Sequence, residues 1–211
     1  MITVEVDAAE VERRLRAGQI TCPSCGGVLA GWGFGRRRRL RGMGQALIEI
    51  RPRRTRCGSC ARTHVLLPVT GLLRRADGVE VVGAALEAKA RGAGHRRIAA
   101  GLGRPPSTVR GWLRRFAASA GRVRAVFTTV LVRVAGSTQL VLPAAAETEF
   151  ADAVAAVVAL SMAVGRRFAE RFFVNTLSPW LVACAVTGGR LLAPPGRGEL
   201  INTSALLGAV M

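Results

Sequence analysis

Two cysteine pairs carry the clearest chemistry in the sequence. Cys22 and Cys25 frame one CxxC turn, Cys57 and Cys60 frame a second, and 31 residues lie between the two pairs. Each turn can present two thiolates to one ion, so both together supply the four ligands of a tetrahedral zinc site. Such a closed shell suits a structural metal and not a catalytic one. We therefore predict one structural Zn²⁺, with two disulfides or idle buried thiols as the alternative.

Two further side chains bear on this site. His64 lies four residues after Cys60 and could replace a cysteine as ligand. Because four thiolates are available, we expect it instead to hydrogen-bond a neighbour or to face solvent. Cys184 is left over as the fifth cysteine. The first residues lack the apolar segment of a secretory signal, which predicts a reducing cytoplasm, where metal binding is favoured over disulfides.

The charge of the chain points to a polyanionic partner. The formal net charge is +18, and Lys89 is the only lysine among the basic residues. Residues 1–75 hold 15 arginines against 5 acids, residues 76–125 hold 10 basic residues against 3 acids, and residues 126–211 hold 6 against 5. Arginine forks onto phosphates and can read guanine edges. We expect nucleic acid first and an anionic membrane surface second, bound by the first 125 residues.

Short strands are expected to position the cysteines. Residues 1–19 predict a strand and then a helix, with Asp7 as N-cap and Glu10 as its capping-box partner. Residues 20–70 predict a zinc ribbon, a small sheet that metal binding must stabilise because its core is too small to do so alone. The arginines expected to contact DNA from this ribbon are Arg36, Arg37, Arg38 and Arg39.

Residues 76–120 have the pattern of a helix-turn-helix module. Asp77 with Glu80 predicts the start of a first helix, a short second helix follows, and Ser107 predicts the N-cap of a third. The third helix spaces its apolar residues at i, i+3, i+4 and i+7. We expect base-edge contacts from Ser107, Thr108, Arg110 and Gly111, and phosphate contacts from Arg96, Arg97, Arg104, Arg114 and Arg115. A plain three-helix bundle with a solvated arginine face is the alternative.

The last third of the chain carries no chemical motif. Residues 121–195 predict a helical packing or oligomerisation region, and residues 196–211 a loosely held tail. The apolar runs are too short for a membrane span. The acids Glu147, Glu149, Asp152, Glu170 and Glu199 lie on helical or loop segments, whereas a strand-transfer enzyme needs three carboxylates converging on metal ions in a strand-rich fold. We expect no catalytic activity; a nuclease-like pair of Asp152 and Glu170 has no supporting motif.

Five segments carry a resemblance to known proteins. They are CPSC at 22–25, RPRRTRCGSC at 51–60, THVLLP at 63–68, GHRRIA at 94–99 and STVRGWLRRF at 107–116. With them the chain resembles an actinobacterial family of unknown function that carries a zinc ribbon and a helix-turn-helix. The same order is similar to the N-terminal DNA-binding part of several insertion-element transposases. The resemblance implies DNA binding, linked to mobile elements or to transcription.

The sequence thus predicts an α+β protein: a small β zinc ribbon, an all-α helix-turn-helix domain and a C-terminal helical region. Its expected function is sequence-specific binding of double-stranded DNA, with a homo-oligomer as a possible state. One alternative is a DNA-targeting accessory subunit of a separately encoded transposase chain. Another is an RNA-binding ribbon protein, which the absence of tyrosine and the 5% aromatic content disfavour because no stacking platform is evident.

Overall fold

The computed structural model of the chain describes residues 1–136, 140–168 and 178–193. These ranges form a mixed α+β fold, which confirms the predicted class. The strands are β1 (Ile2–Val4), β2 (Leu29–Phe34), β3 (Arg38–Arg41), β4 (Leu47–Ile50), β5 (Arg53–Cys57) and β6 (Thr63–Pro68). The helices are α1 (Ala8–Arg16), α2 (Val79–Ala90), α3 (His95–Leu102), α4 (Pro106–Ala117), α5 (Ala120–Ala135), α6 (Glu149–Arg167) and α7 (Pro179–Val186). The expected tail at 196–211, with Glu199, and also Glu170 lie outside the described residues.

The N-terminal segment belongs to the cysteine-bearing sheet. Four strands lie in the order β1-β6-β5-β2, with β1 parallel to β6 and the other pairs antiparallel. Asp7 caps α1 as predicted, its carboxylate accepting from the N–H of Ala9, while Glu10 pairs with Arg13 instead of closing a capping box. The core beneath this sheet gathers apolar residues of β1, α1, β2 and β6 around the buried cysteines: Ile2, Val4, Val11, Leu15, Ile20, Cys22, Leu29, Cys57 and Leu66.

A separate two-stranded sheet holds Arg38, Arg39 and Arg41. Strands β3 and β4 pair antiparallel, with Arg38 opposite Ile50 and Arg41 opposite Leu47. Because this hairpin lies between β2 and β5 in the chain, it is an excursion from the four-stranded sheet. Pro52, which has no N–H to donate, separates β4 from β5.

The helices share one hydrophobic core. Helices α2 to α7 all contribute buried residues to it, so the regions predicted at 76–120 and 121–195 pack as one body. Trp180 lies against Gly83, where a β-carbon would come within 2.1 Å of the indole ring. Its Nε1 donates to Glu87 over 2.7 Å, and Ser178, the N-cap of α7, donates to Glu80 over 2.8 Å. Helix α7 is thereby docked on α2.

Two predicted helix caps are wrong. Helix α2 begins at Val79, so Asp77 lies one residue before the N-cap position and makes no cap hydrogen bond. Helix α4 begins at Pro106, whose fixed φ suits the first helical position, so Ser107 lies inside the first turn. In both places the local cap pattern is present, but tertiary contacts or proline decide where the helix starts.

Asp77 instead joins the hairpin to the helices. The carboxylate is 2% exposed and accepts from Arg41 Nη2 and Arg104 Nε, both over 2.7 Å. Arg104 also donates to the carbonyl of Gly42 at the end of β3, over 2.7 Å. Its side chain is only 7% exposed. The expected contact of Arg104 with a DNA phosphate is therefore wrong, because its guanidinium group binds Asp77 and the carbonyl of Gly42.

We expect Asp77→Asn to lower the free energy of unfolding by about 3 kcal/mol, since an amide leaves the buried Arg104 without a counter-charge. The matched change Glu49→Gln removes the exposed partner of Arg39, another β3 arginine, and should cost under about 1 kcal/mol. Urea unfolding followed by circular dichroism measures both. Equal losses in the two variants would contradict the role assigned to Asp77.

Candidate metal centre and basic surface

The four predicted cysteines converge. Cys22 and Cys25 lie in the loop before β2, Cys57 ends β5, and Cys60 lies in the turn before β6. All four Sγ atoms lie within 4.8 Å of one another, with 3.7 Å between Cys22 and Cys60 and 3.5 Å between Cys25 and Cys57. A tetrahedron of Zn–S bonds has edges of about 3.8 Å, whereas a disulfide needs about 2 Å. The cluster could therefore hold a single metal ion.

Backbone N–H groups point at the sulfurs of both turns. Those of Ser24 and Cys25 donate to Cys22. Those of Cys60 and Ser59 donate to Cys57. The residue after each turn has a left-handed backbone, Gly26 at φ +71° and Ala61 at φ +58°. This conformation is what closes the turns, and alanine adopts it at some cost in free energy.

These donors change the pKa values of the thiols. Burial raises the pKa of Cys22, but the N–H groups of Ser24 and Cys25, together with Cys60 and His64, outweigh it and lower the value to about 7. The N–H of Cys60 foremost lowers the pKa of Cys57 to about 6, against burial. For Cys25, the N–H of Gly27 lowers the pKa, yet the neighbouring sulfurs of Cys60 and Cys57 raise it to about 12. Without a cation, Cys25 therefore keeps its proton more strongly than Cys22 and Cys57 do. A divalent cation would let all four sulfurs ionise together.

His64 supports the cluster from outside. It is buried on β6, opposite Thr55, and its Nε2 lies 3.3 Å from Cys22 Sγ. The expected hydrogen bond to a neighbour is confirmed. An imidazole N–H that donates to a ligating thiolate orients it, which is the usual role of groups just beyond the ligands of a metal site.

The arginines at 36–39 are all exposed. Arg38 and Arg39 lie on β3, and Arg39 pairs with Glu49 over 2.9 Å. Within the described ranges, Arg36, Arg37 and Arg38 have no carboxylate partner. Their charges therefore face solvent.

Helix α4 exposes the predicted polar face. Ser107, Arg110 and Arg114 are exposed, whereas Thr108, Gly111 and Arg115 are half-buried. Arg115 donates from Nη1 to the carbonyl of Gly111 over 3.1 Å. Arg96 and Arg97 are exposed on the first turn of α3. Neither these two nor Arg110 and Arg114 pair with an acid in the part of the chain that the structure describes.

One surface was not expected from the sequence. Trp32 and Phe34 on β2 are 52% and 47% exposed, and arginine planes lie over both rings. Arg56 lies 4.8 Å from the Trp32 ring, and Arg51 and Arg53 lie 4.6 and 4.5 Å from the Phe34 ring. Gly31 permits this packing, because a β-carbon there would come within 2.1 Å of Arg53 Nη2. The sequence signal for this surface was the alternation of Trp32 and Phe34 with glycines.

No protein-family model, no curated protein and no solved structure matches the chain. Across 1–136, 140–168 and 178–193, no helix has both the length and the apolar character needed to cross a membrane.

We expect the purified protein to contain one metal ion per chain, and Cys57→Ser to lose it. Loss of a ligand should unfold the four-stranded sheet, while the separate core of α2 to α7 keeps its helices. Metal analysis by mass spectrometry and far-ultraviolet circular dichroism give the two readouts.

The control is Cys184→Ala, which removes a buried cysteine on α7 that donates to the carbonyl of Gly71 and lies outside the cluster. It should retain one equivalent of metal. A wild-type protein free of metal, or metal retained by Cys57→Ser, would contradict the assignment of the site.

Proposed function

We propose that the chain is a zinc-stabilised protein that binds double-stranded DNA. The observation that carries the proposal is the exposed face of α4. There Arg110 and Arg114 have no carboxylate partner among the described residues, while the opposite face is buried against α2 and α6. Phosphates and guanine edges are the ligands that such arginines favour.

Zinc is the metal that best fits the donor set. Four thiolates in a closed tetrahedral shell are typical of structural Zn²⁺ sites, which supply folding energy and leave no position for a substrate. Cys22, Cys25, Cys57 and Cys60 would hold the ion, with His64 orienting Cys22. The ion would fix β2, β5 and β6 as a zinc ribbon.

The order α2–α3–α4 supports a helix-turn-helix. Helix α3 ends at Leu102, its C-cap Gly103 has a left-handed conformation (φ +61°), and α4 begins three residues after Gly103. In this motif the N-terminal half of the third helix enters the major groove. Ser107, Arg110 and Gly111 would then face base edges, while Arg96, Arg97 and Arg114 would contact phosphates.

The hairpin β3–β4 adds a second basic surface on the same body. Arg36, Arg37 and Arg38 would bind the DNA backbone without reading sequence. Asp77 and Arg104 hold the end of β3 beside the turn between α3 and α4, so the two basic surfaces keep a fixed relation. A fixed relation lets both contact one duplex without an added ordering cost.

A second candidate is binding of single-stranded nucleic acid. The exposed rings of Trp32 and Phe34, each beside a guanidinium plane, could stack on unpaired bases. This surface lies on the four-stranded sheet and does not involve α4.

Preferred duplex sites, recovered by selection from random DNA, provide the test. We expect Arg110→Ala to weaken binding to the preferred site at least tenfold more than binding to unrelated duplexes, because it removes a base contact. Arg38→Ala should weaken both about equally, because it removes a phosphate contact. Identical behaviour of the two variants would contradict the placement of α4 as the reading helix.

Competition between duplex DNA and single-stranded RNA separates the two candidates. Duplex DNA should win for the wild type, and Trp32→Ala should leave duplex affinity unchanged. If single strands win and Trp32→Ala abolishes their binding, the second candidate replaces the first.

A further inference from the structure

Four arginines of the described residues line a cleft, and among them only Arg115 is a phosphate contact expected from the sequence. The cleft has a volume of about 300 Å³ and lies between the connection from β6 to α2, the flank of α4 and the segment after α7. Its basic lining is Arg74, Arg75, Arg115 and Arg190. Arg115 and Arg110 lie about 140° apart around α4, at about 100° per residue, so the cleft opens away from Arg110.

The walls of the cleft are held by specific contacts. The N–H of Leu73 donates to the carbonyl of Gly189 over 2.8 Å, which ties the two loops together. Cys184 Sγ donates to the carbonyl of Gly71 nearby, and burial raises the pKa of this thiol to about 12, so it stays protonated. Arg74 has a left-handed backbone, φ +58°, which is unusual for a residue other than glycine. The cleft is thus built into the packing and is not a loose surface groove.

No carboxylate among the described residues pairs with any of these four arginines. Other arginines with little exposed side chain have acidic partners: Arg14 has Glu5, Arg53 has Glu12, and Arg104 has Asp77. Each of these three side chains is thus neutralised within the fold, whereas the cleft arginines are not. Outside the cleft, Arg122 on α5 also has a buried Nε without a hydrogen-bond partner among the described residues.

Arg75 shows the resulting deficit at one atom. Its Nε is buried and has no hydrogen-bond partner in the described part of the chain, while its Nη2 reaches only the carbonyl of Leu192 over 3.4 Å. Burial, and then the charge of Arg115, lower the pKa of Arg75. The N-terminal amino group of Met1 also has a lowered pKa, through burial and then through Arg190. Like charges and an unsatisfied buried donor are unfavourable unless an anion enters.

We propose that this cleft binds a phosphate group. Guanidinium forks match phosphate oxygens in pairs, and the four positive charges call for a multiply charged anion in preference to a single carboxylate. The volume is that of a small ligand site. Two sources share this chemistry: a backbone phosphate of a duplex passing the flank of α4, and a free phosphorylated small molecule.

Thermal unfolding of the full-length, metal-loaded protein with pyrophosphate tests the proposal, with ionic strength held constant by chloride. Pyrophosphate should raise the Tm of the wild type and of Arg133→Gln, an exposed arginine on α5 that undergoes the same charge change. The Kd for pyrophosphate should rise about tenfold in Arg115→Gln. No shift in the wild type, or equal Kd values in both variants, overturns the proposal.

If Arg115→Gln does not fold, Arg74→Gln serves in its place, because its side chain is exposed. The same pyrophosphate titration applies, and a Kd equal to that of the wild type overturns the proposal.

Duplex binding distinguishes the two sources. If pyrophosphate displaces duplex DNA and the cleft variant weakens duplex binding about tenfold, the phosphate belongs to the DNA backbone. If pyrophosphate does not displace duplex DNA and the cleft variant binds duplex DNA as the wild type does, the site takes a free phosphorylated molecule. The proposal does not rest on DNA binding: pyrophosphate binding without duplex binding removes the DNA function and leaves the cleft assigned.

Discussion

Four sulfurs within 4.8 Å of one another are the constraint on which the N-terminal half depends. The core of the four-stranded sheet is small, and two of its buried members, Cys22 and Cys57, belong to the sulfur cluster itself. Without a cation the sulfurs compete for protons, as the divergent pKa values of Cys25 and Cys57 show. A metal ion would remove that competition and cross-link β5 to the loop before β2. The arginine-bearing hairpin then extends from a fixed sheet.

Asp77 links the arginine-bearing hairpin to the helices. One carboxylate accepts from an arginine of β3 and from an arginine of the turn between α3 and α4. If either the β3–β4 hairpin or the turn between α3 and α4 unfolded, a buried charge would lose a partner. The stability of the hairpin is therefore coupled to that of helices α2 to α4. The C-terminal helices complete the same body, since Trp180 of α7 packs on α2.

Local signals predicted much of this architecture. The cysteine spacing alone indicated the cluster, and the 3.6-residue period indicated α4 with its buried Val109 and Phe116. Two helix caps were predicted wrongly, Ser107 because the neighbouring Pro106 starts the helix and Asp77 because of distant partners. Asp77 has the sequence pattern of a helix cap, yet Arg41 and Arg104, 36 and 27 residues away along the chain, use its carboxylate.

The same reasoning explains the surfaces that the sequence did not reveal. Arg75, Arg115 and Arg190 are far apart in the chain, and only the docking of the segment after α7 brings them into one cleft. The exposure of Trp32 depends on strand order, because β2 is an edge strand of its sheet. Arginine content thus predicts the class of partner, while the assignment of each arginine to fold or to ligand requires the structure.

The most direct test is a titration of duplex DNA with metal-loaded and metal-stripped protein, repeated over a range of salt. It asks whether the metal-bound sheet and the helices bind DNA together. For the loaded protein we expect the logarithm of affinity to fall with the logarithm of salt at a slope of about −5 to −8, for roughly six to nine neutralised phosphates. Stripping the metal should lower affinity at least about tenfold and bring the slope closer to zero, because the arginine hairpin loses its fixed sheet. A slope near zero for the loaded protein, or identical binding after the metal is removed, would contradict a metal-fixed DNA-binding body.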